Sequence, residues 1–339
     1  MHQIGLSFQD SPIWCVYPIL SAIGIKKGDT VMSFATILGL GQTALELGLI
    51  NSLVVLALFL SYSMLNVCDL STDGCFTLGA AVGAMVALAG HPFLSLPAAI
   101  LAGMTSGFVT ALLQTRMGVD SLLAGIVVNT GLYSVNIAIM GGKSLVNLNK
   151  TTTVFTMLKE FLKPTPLKGD EILFVSLGCV VLAVLFLCWF LRTRLGLAIR
   201  ATGNNPDMVR SSSINPIMTT TVGLTLSNGL TALSGCLLAQ SQKSADINIG
   251  SGILTVALAS LLIGGVFFGR CRIPARAVGA VIGAFLFRLV YTIALRFNMP
   301  SFMLKATSSI IVILAMFIPY LKRQYPNFAR RMKARKGGR

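Results

Sequence analysis

The sequence predicts an all-α protein, a polytopic transmembrane helical bundle of about 8 to 10 spans with a short helix in a charged cytoplasmic loop. Three observations lead there. Hydrophobic residues are 54% and charged residues 11% of 339, against roughly 25% charged in soluble domains, and mean hydropathy is +0.80. No Asp, Glu, Lys or Arg occurs in 74–115, 121–142, 172–191, 211–242, 247–269 or 306–321, and crossing hydrocarbon takes about 20 apolar residues. The remaining basic residues collect where these runs end.

Taken in order, the spans fall near 43–65, 74–90, 93–115, 120–140, 172–191, 217–239, 253–269, 276–296 and 303–321. The first charge-free run is long enough for two crossings, with His91 and Pro92 as its turn. When the spans alternate, Arg116, the cluster Arg192, Arg194, Arg200 and Arg210, the cluster Arg270, Arg272 and Arg276, and the tail share one side. The positive-inside rule makes that side the cytosol. The loop 141–171 and the hairpin around Lys243 to Ile249 then face outward; the lysines of the outer loop weaken the argument without reversing it.

Three regions result: an N-terminal segment 1–33, a transmembrane domain 34–321 containing the loop 192–216, and a basic cytoplasmic tail 322–339. Residues 11–25 are apolar but short, contain Pro12 and Pro18, and are followed rather than preceded by Lys26 and Lys27, which does not fit a secretory signal. An imperfect extra span, an interfacial segment and a non-native start fit equally.

Net charge is +16, from 27 Lys and Arg against 11 Asp and Glu. Its placement at span ends and in the tail points to topology and to anionic lipid of the bilayer, not to nucleic acid. The 7 cysteines show no CxxC spacing and read as small core residues. With only His2 and His91, no zinc or iron ligand set assembles, and no Ser, His, Asp relay can be placed. No catalytic residue, metal or cofactor is expected. Gly142-Lys143-Ser144 mimics the end of a phosphate-binding loop, but Ile137 stands where the first glycine belongs, and the glycines read as a helix stop.

Ionisable and polar groups inside spans are the candidates for a pathway. Glu46 and Arg288 could pair from depth alone; a structural ion pair is favoured over contact with the charged ends of a zwitterionic solute. Asn129, Tyr133 and Asn136 share one helix face at i, i+4, i+7 spacing. That stripe suits a pore wall and helix-to-helix bonding about equally. Thr221, Thr225 and Asn228 form a second stripe. Asp69 and Asp73 bracket the turn before the second span, with Asp73 expected to cap that helix.

In the loop 192–216, Asn204 or Asn205 can cap a helix of about two turns, Pro206 fits its first position and Asp207 complements its positive terminus. Met208 and Val209 are expected to be free to enter a partner's groove. From the residues alone, an ordinary positive-inside loop accounts for the segment at least as well.

The segment LGLAIRATGNNPDMVRSSSIN at 195–215 resembles the cytoplasmic coupling segment, G-x-A-x-R-A-x-G-x-N-P in outline, of binding-protein-dependent ABC importer permeases of the branched-chain amino acid and ribose type. LNVCDLSTDGCFTLGAAVGA at 65–84, LLAGIVVNTGLYSVNIAIMGG at 122–142 and LSNGLTALSGCLLAQSQKSADINIGSG at 226–252 are similar to its tryptophan-type or uncharacterised branch. The resemblance runs in order over about 34–322. It implies an ATPase contact at Arg200, Asn204, Asn205, Pro206, Asp207, Met208, Val209, Arg210, Ser211, Ser212 and Ser213. It also implies two cytosolic ABC ATPase subunits, an extracytoplasmic solute-binding protein, a second permease copy (expected as a homodimer) and residence in a bacterial cytoplasmic membrane. The solute it suggests is a small amino acid, aromatic ones included, or a similar small polar molecule; a sugar or nucleoside permease and an ATP-independent secondary transporter are the alternatives. Two departures stand out. Ser211 to Ser213 replace the usual Ala and Gly, and Gly265 stands where that branch commonly carries a glutamate, altering what lies beside the pore.

Overall fold

The computed structural model describes residues 34–161, 171–269, 271–295, 306, 309–314 and 317. The N-terminal segment, the basic tail and most of the span at 303–321 lie outside these residues.

Helix α1 (Phe34–Leu58) continues into a π-helical turn, Phe59–Met64. After a non-helical stretch come α2 (Thr72–Leu88), α3 (Pro92–Thr115) and α4 (Ser121–Ile139). A short strand β1 (Leu145–Asn147) and helix α5 (Val154–Phe161) precede α6 (Glu171–Phe190). Two short helices, α7 (Arg194–Asn204) and α8 (Pro206–Ser211), lead into α9 (Pro216–Gln242). Strand β2 (Ser244–Asp246), α10 (Ile253–Phe268) and α11 (Ile273–Leu295) follow. The bundle is all-α apart from the antiparallel β1–β2 pair, in which Leu145 faces Asp246.

Among the described residues, six helices are long and apolar enough to cross a membrane. Span positions agree with the charge gaps to within a few residues, except that α1 starts nine residues before the expected 43. Two of the helices are short, as the 17-residue runs 74–90 and 253–269 imply. Helices α2 and α10 have only 17 and 16 residues, about 25 Å at 1.5 Å per residue. The chain covers the missing depth in non-helical form. Asn66, at φ +58, turns the backbone around after the π-helical turn, and Asp69 then reaches Asn228, near the middle of α9. Helix α2 therefore starts near mid-depth.

The second half repeats this plan in the opposite direction. A long helix (α9) ends at Lys243, φ +52, a non-helical stretch returns, and a short helix (α10) leads through a turn to a long one, α11. Packing exchanges in the same way, with α1 lying along α11 and α9 along α3. This is an inverted-topology repeat, and such folds place their sites where broken helices meet at mid-depth.

Small residues allow the close packing. A side-chain carbon on Gly79 would overlap the Ala232 carbonyl, and one on Gly235 the Phe76 carbonyl, so the α2 and α9 backbones touch. Above them Gln240 accepts from Val154 N at 3.0 Å and donates to Ser95 Oγ at 2.6 Å, fixing α5 to α3 and α9. The glycine pair expected as a helix stop is one: Gly141 and Gly142 have φ +69 and +77, and Gly142 N donates to Ile137 O. The cysteines divide. Cys75 and Cys236 are buried, Cys68, Cys179 and Cys188 partly so, but Cys271 is exposed rather than core.

Candidate functional site

A polar cavity of about 320 Å³ opens where α2, α4 and the stretch before α10 meet, lined by Asp73, Gly74, Thr77, Asn129, Thr130, Tyr133, Asn136, Ile247, Asn248 and Ser251. Four of the residues expected for a pathway, Asp73, Asn129, Tyr133 and Asn136, converge here. Asn129 is the ninth of 19 residues in α4, which puts the cavity near mid-depth.

Asp73 does not cap its own helix. It sits within the first turn of α2 and accepts from Gly252 N at 3.0 Å and Leu254 N at 2.9 Å, thereby capping α10. The start of α2 is served instead by Asp69, whose Oδ1 accepts from Ser71 N at 2.8 Å and Ser71 Oγ at 2.6 Å. Sequence spacing alone favoured the nearer helix terminus, whereas the inverted fold brings a distant one closer. Asn136 donates to Gly74 O at 3.2 Å, while its Oδ1 is buried without a partner. The stripe on α4 thus does both jobs: Asn136 ties α4 to α2, and Tyr133, 52% exposed, presents its ring at the opening.

The other pathway candidates lie elsewhere. Asn228 is buried between helices and donates to Asp69 Oδ2 at 2.9 Å, so it holds the return stretch and does not line the cavity. In its stripe, Thr221 bonds Ile217 O of its own helix, as expected for Thr, whereas Thr225 Oγ1 is buried without a partner. Glu46 accepts from Gln42 Nε2 at 3.4 Å. Arg288 is packed between α11 and α1, where Asn51 Oδ1, in the amide orientation that satisfies both groups, accepts from Nη2 and Nε at 2.5 Å each. Its guanidinium also lies 5.4 Å from the centre of the Tyr291 ring. Asn51, Asn248 and Ser251 were not singled out in the sequence. A lone Asn in an apolar run or a Ser in an outer loop carries no periodic signal.

At the basic end, the loop 192–216 forms two helices rather than one of two turns. Thr193 caps α7, and Asn205, not Asn204, caps α8 by accepting from Asp207 N and Met208 N at 3.1 Å each. Pro206 occupies the first position of α8 and Asp207 its first turn, with Arg210 Nη1 at 3.8 Å from Asp207 Oδ1 on the exposed surface. Asn204 closes α7, Arg200 is half-buried on it, and Ser211 and Ser212 bond back to Met208 O. Ser213 takes φ +58 and turns the chain toward α9. Met208 is 67% exposed, as a docking residue would be. Val209 is 3% exposed and packs inward, so it is not free for a partner. Gly203 abuts the Met64 carbonyl at the end of the π-helical turn, which links this helix pair mechanically to α1. Gly265 leaves open space in a recess of about 300 Å³ that also includes Phe59, Tyr62 and Arg276.

Membrane-length helices, a mid-depth polar cavity between broken helices and an exposed helix pair at the basic end define a multi-pass membrane protein. The chain belongs to the branched-chain amino acid transport system / permease component family, whose profile matches residues 42–320. Members are the membrane-spanning subunits of ABC importers. The chain is 33% identical over 268 residues to a tyrosine transport system permease protein of Clostridioides difficile, covering 78% of this chain and 86% of that one. It is 35% identical over 254 residues, 75% and 86% of the two chains, to an uncharacterised protein of Rickettsia prowazekii. To the ribose import permease protein of Escherichia coli it is 28% identical over 228 residues, 64% and 67% of the two chains. No solved structure matches.

Proposed function

We propose that this chain forms the solute pathway of a bacterial ABC importer and couples it to separate ATPase subunits through α7 and α8. The observation that carries the reading is the exposed, Asn205-capped helix α8 stacked, through α7, against the end of α1. A partner gripping Met208, Asp207 and Arg210 would push on a membrane helix directly. Ser211 to Ser213 form the rim of that contact. Two permease copies, two cytosolic ATPases and an outer solute-binding protein complete the assembly, in the bacterial cytoplasmic membrane.

An amino acid is the solute class favoured, supported by the tyrosine permease relative. The pathway runs past the cavity at Asp73, Asn129, Tyr133 and Asn136. Glu46 and Arg288 lie off this cavity, and we assign Arg288 a structural role with Asn51. The test is reconstitution of the permease with its ATPase and binding protein in liposomes. ATP-dependent uptake of a labelled amino acid is expected. Uptake of ribose or a nucleoside instead would change the solute class. Uptake without ATP, driven by an ion gradient, would overturn the coupling role.

A further inference from the structure

The polar cavity between α2, α4 and the start of α10 has a one-sided chemistry. Among the described residues its lining includes one carboxylate, Asp73, and no Lys, Arg or His. Asp73 is fixed in place by its two bonds to Gly252 N and Leu254 N. Beside it, Asn136 is buried with Oδ1 unpartnered, although its Nδ2 is committed to Gly74 O. Asn129 Oδ1 faces the same backbone, since a side-chain carbon on Gly74 would lie 2.6 Å from it. A buried acceptor without a donor is unfavourable, and the simplest remedy is a visiting group with donors to spare. An ammonium has three donors and no acceptor. A carboxylate would be repelled by Asp73, and a neutral polyol would bring no positive charge to it.

We infer that the cavity receives the amino group of the solute, as a cation, and that Asp73 with Asn136 reads this end of the molecule while the acid end is not recognised there. The inference rests on the importer reading above and adds the end of the solute that the membrane subunit recognises.

The test reads local charge without transport. Tyr133→Cys, at the cavity mouth, is labelled in purified permease with cationic aminoethyl and anionic sulfonatoethyl methanethiosulfonates, and the rate of the parent protein is subtracted. The cationic reagent is expected to react about tenfold faster, and Asp73→Asn should bring the two rates together. Because that change also weakens the cap of α10, Asn129→Lys serves as the second variant and should reverse the preference while leaving the cap intact. Tyramine should slow labelling, and 3-(4-hydroxyphenyl)propanoate at the same concentration should not. Equal rates in the parent Tyr133→Cys protein, a preference untouched by both variants, or equal protection by amine and acid would each overturn the inference. Labelling needs neither ATP nor a binding protein, so these results stand apart from the uptake assay: failed uptake with the charge preference intact would count against the importer reading alone.

Discussion

Asn228, midway along α9, holds Asp69 by a 2.9 Å hydrogen bond from Nδ2 to Oδ2, across 159 residues of sequence. With Ser71 N and Oγ, it gives a buried carboxylate three donors at a depth where water cannot help. Replacing Asn228 by Leu removes one donor and should cost about 1 to 3 kcal/mol, measured as a fall in the thermal midpoint of the purified protein. Asn228→Asp places a second carboxylate against the first and should be worse. A variant as stable as the parent would show that this bond does not hold the return stretch.

Neighbouring positions in α8 should separate coupling from folding. Met208→Glu puts a charge on an exposed docking residue, so uptake should fall while ATP hydrolysis, membrane insertion and thermal stability persist; Asp207→Lys should act likewise. Val209→Ala should instead lose about 1 to 2 kcal/mol of stability, from two buried methyl groups. Full uptake in both Met208→Glu and Asp207→Lys would remove α8 from the coupling role.

The sequence made much of the bundle legible because water and lipid write it in composition. Absent charges marked α6 as 172–191, and the structure has Glu171–Phe190. What stayed hidden was depth. The runs behind α2 and α10 read as spans of 17 residues each, and nothing in the approaches to them, which hold Asp69, Lys243 and Asp246, says how deep those helices begin. Asp73 illustrates the same limit at the site. Its neighbours along the chain suggested a cap on α2, and only the inverted fold brings Gly252 and Leu254 within reach. Asn129, Tyr133 and Asn136 were readable because periodicity on one helix survives folding unchanged.

Arg288 and Asn51 should behave as a unit. Asn51→Leu leaves a buried guanidinium short of an acceptor and Arg288→Leu leaves a buried amide, so each alone should destabilise. The double variant should cost less than their sum by about 1 to 3 kcal/mol, read from a thermal double-mutant cycle. Simple additivity would mean that the two side chains do not interact. Uptake that survives Arg288→Gln fits this structural role, and a selective loss of uptake at unchanged stability would restore Arg288 as a solute contact.

Gln240→Ala should release the outer helix α5 without disturbing the bundle. Val154 N loses its acceptor and Ser95 a partner, so amide exchange over 154–161 should accelerate while α2, α3 and α9 keep their protection. Unchanged exchange there would indicate that packing alone holds α5.

Glycines should differ sharply by position. Gly178, with no atom in reach of an added carbon, should accept Ala with a gain of up to about 1 kcal/mol. Gly79→Ala would collide with the α9 backbone at Ala232 and should cost about 3 kcal/mol. Similar thermal midpoints for the two variants would contradict the close backbone contact.

That contact also says where the molecule can part. Through Gly79, Gly103, Gly107 and Gly235, α2, α3 and α9 touch backbone to backbone, and through Gly264 and Gly283 so do α10 and α11. Helices locked at this range do not slide by fractions of a residue; they travel as slabs. Asp73 joins the two groups beside the cavity, its carboxylate closed on the start of α10 and its carbonyl against the backbone of Gly250. On the proposed reading, a cation held at that carboxylate would sit on the joint that ties α2 to α10, so cargo and hinge would share one side chain.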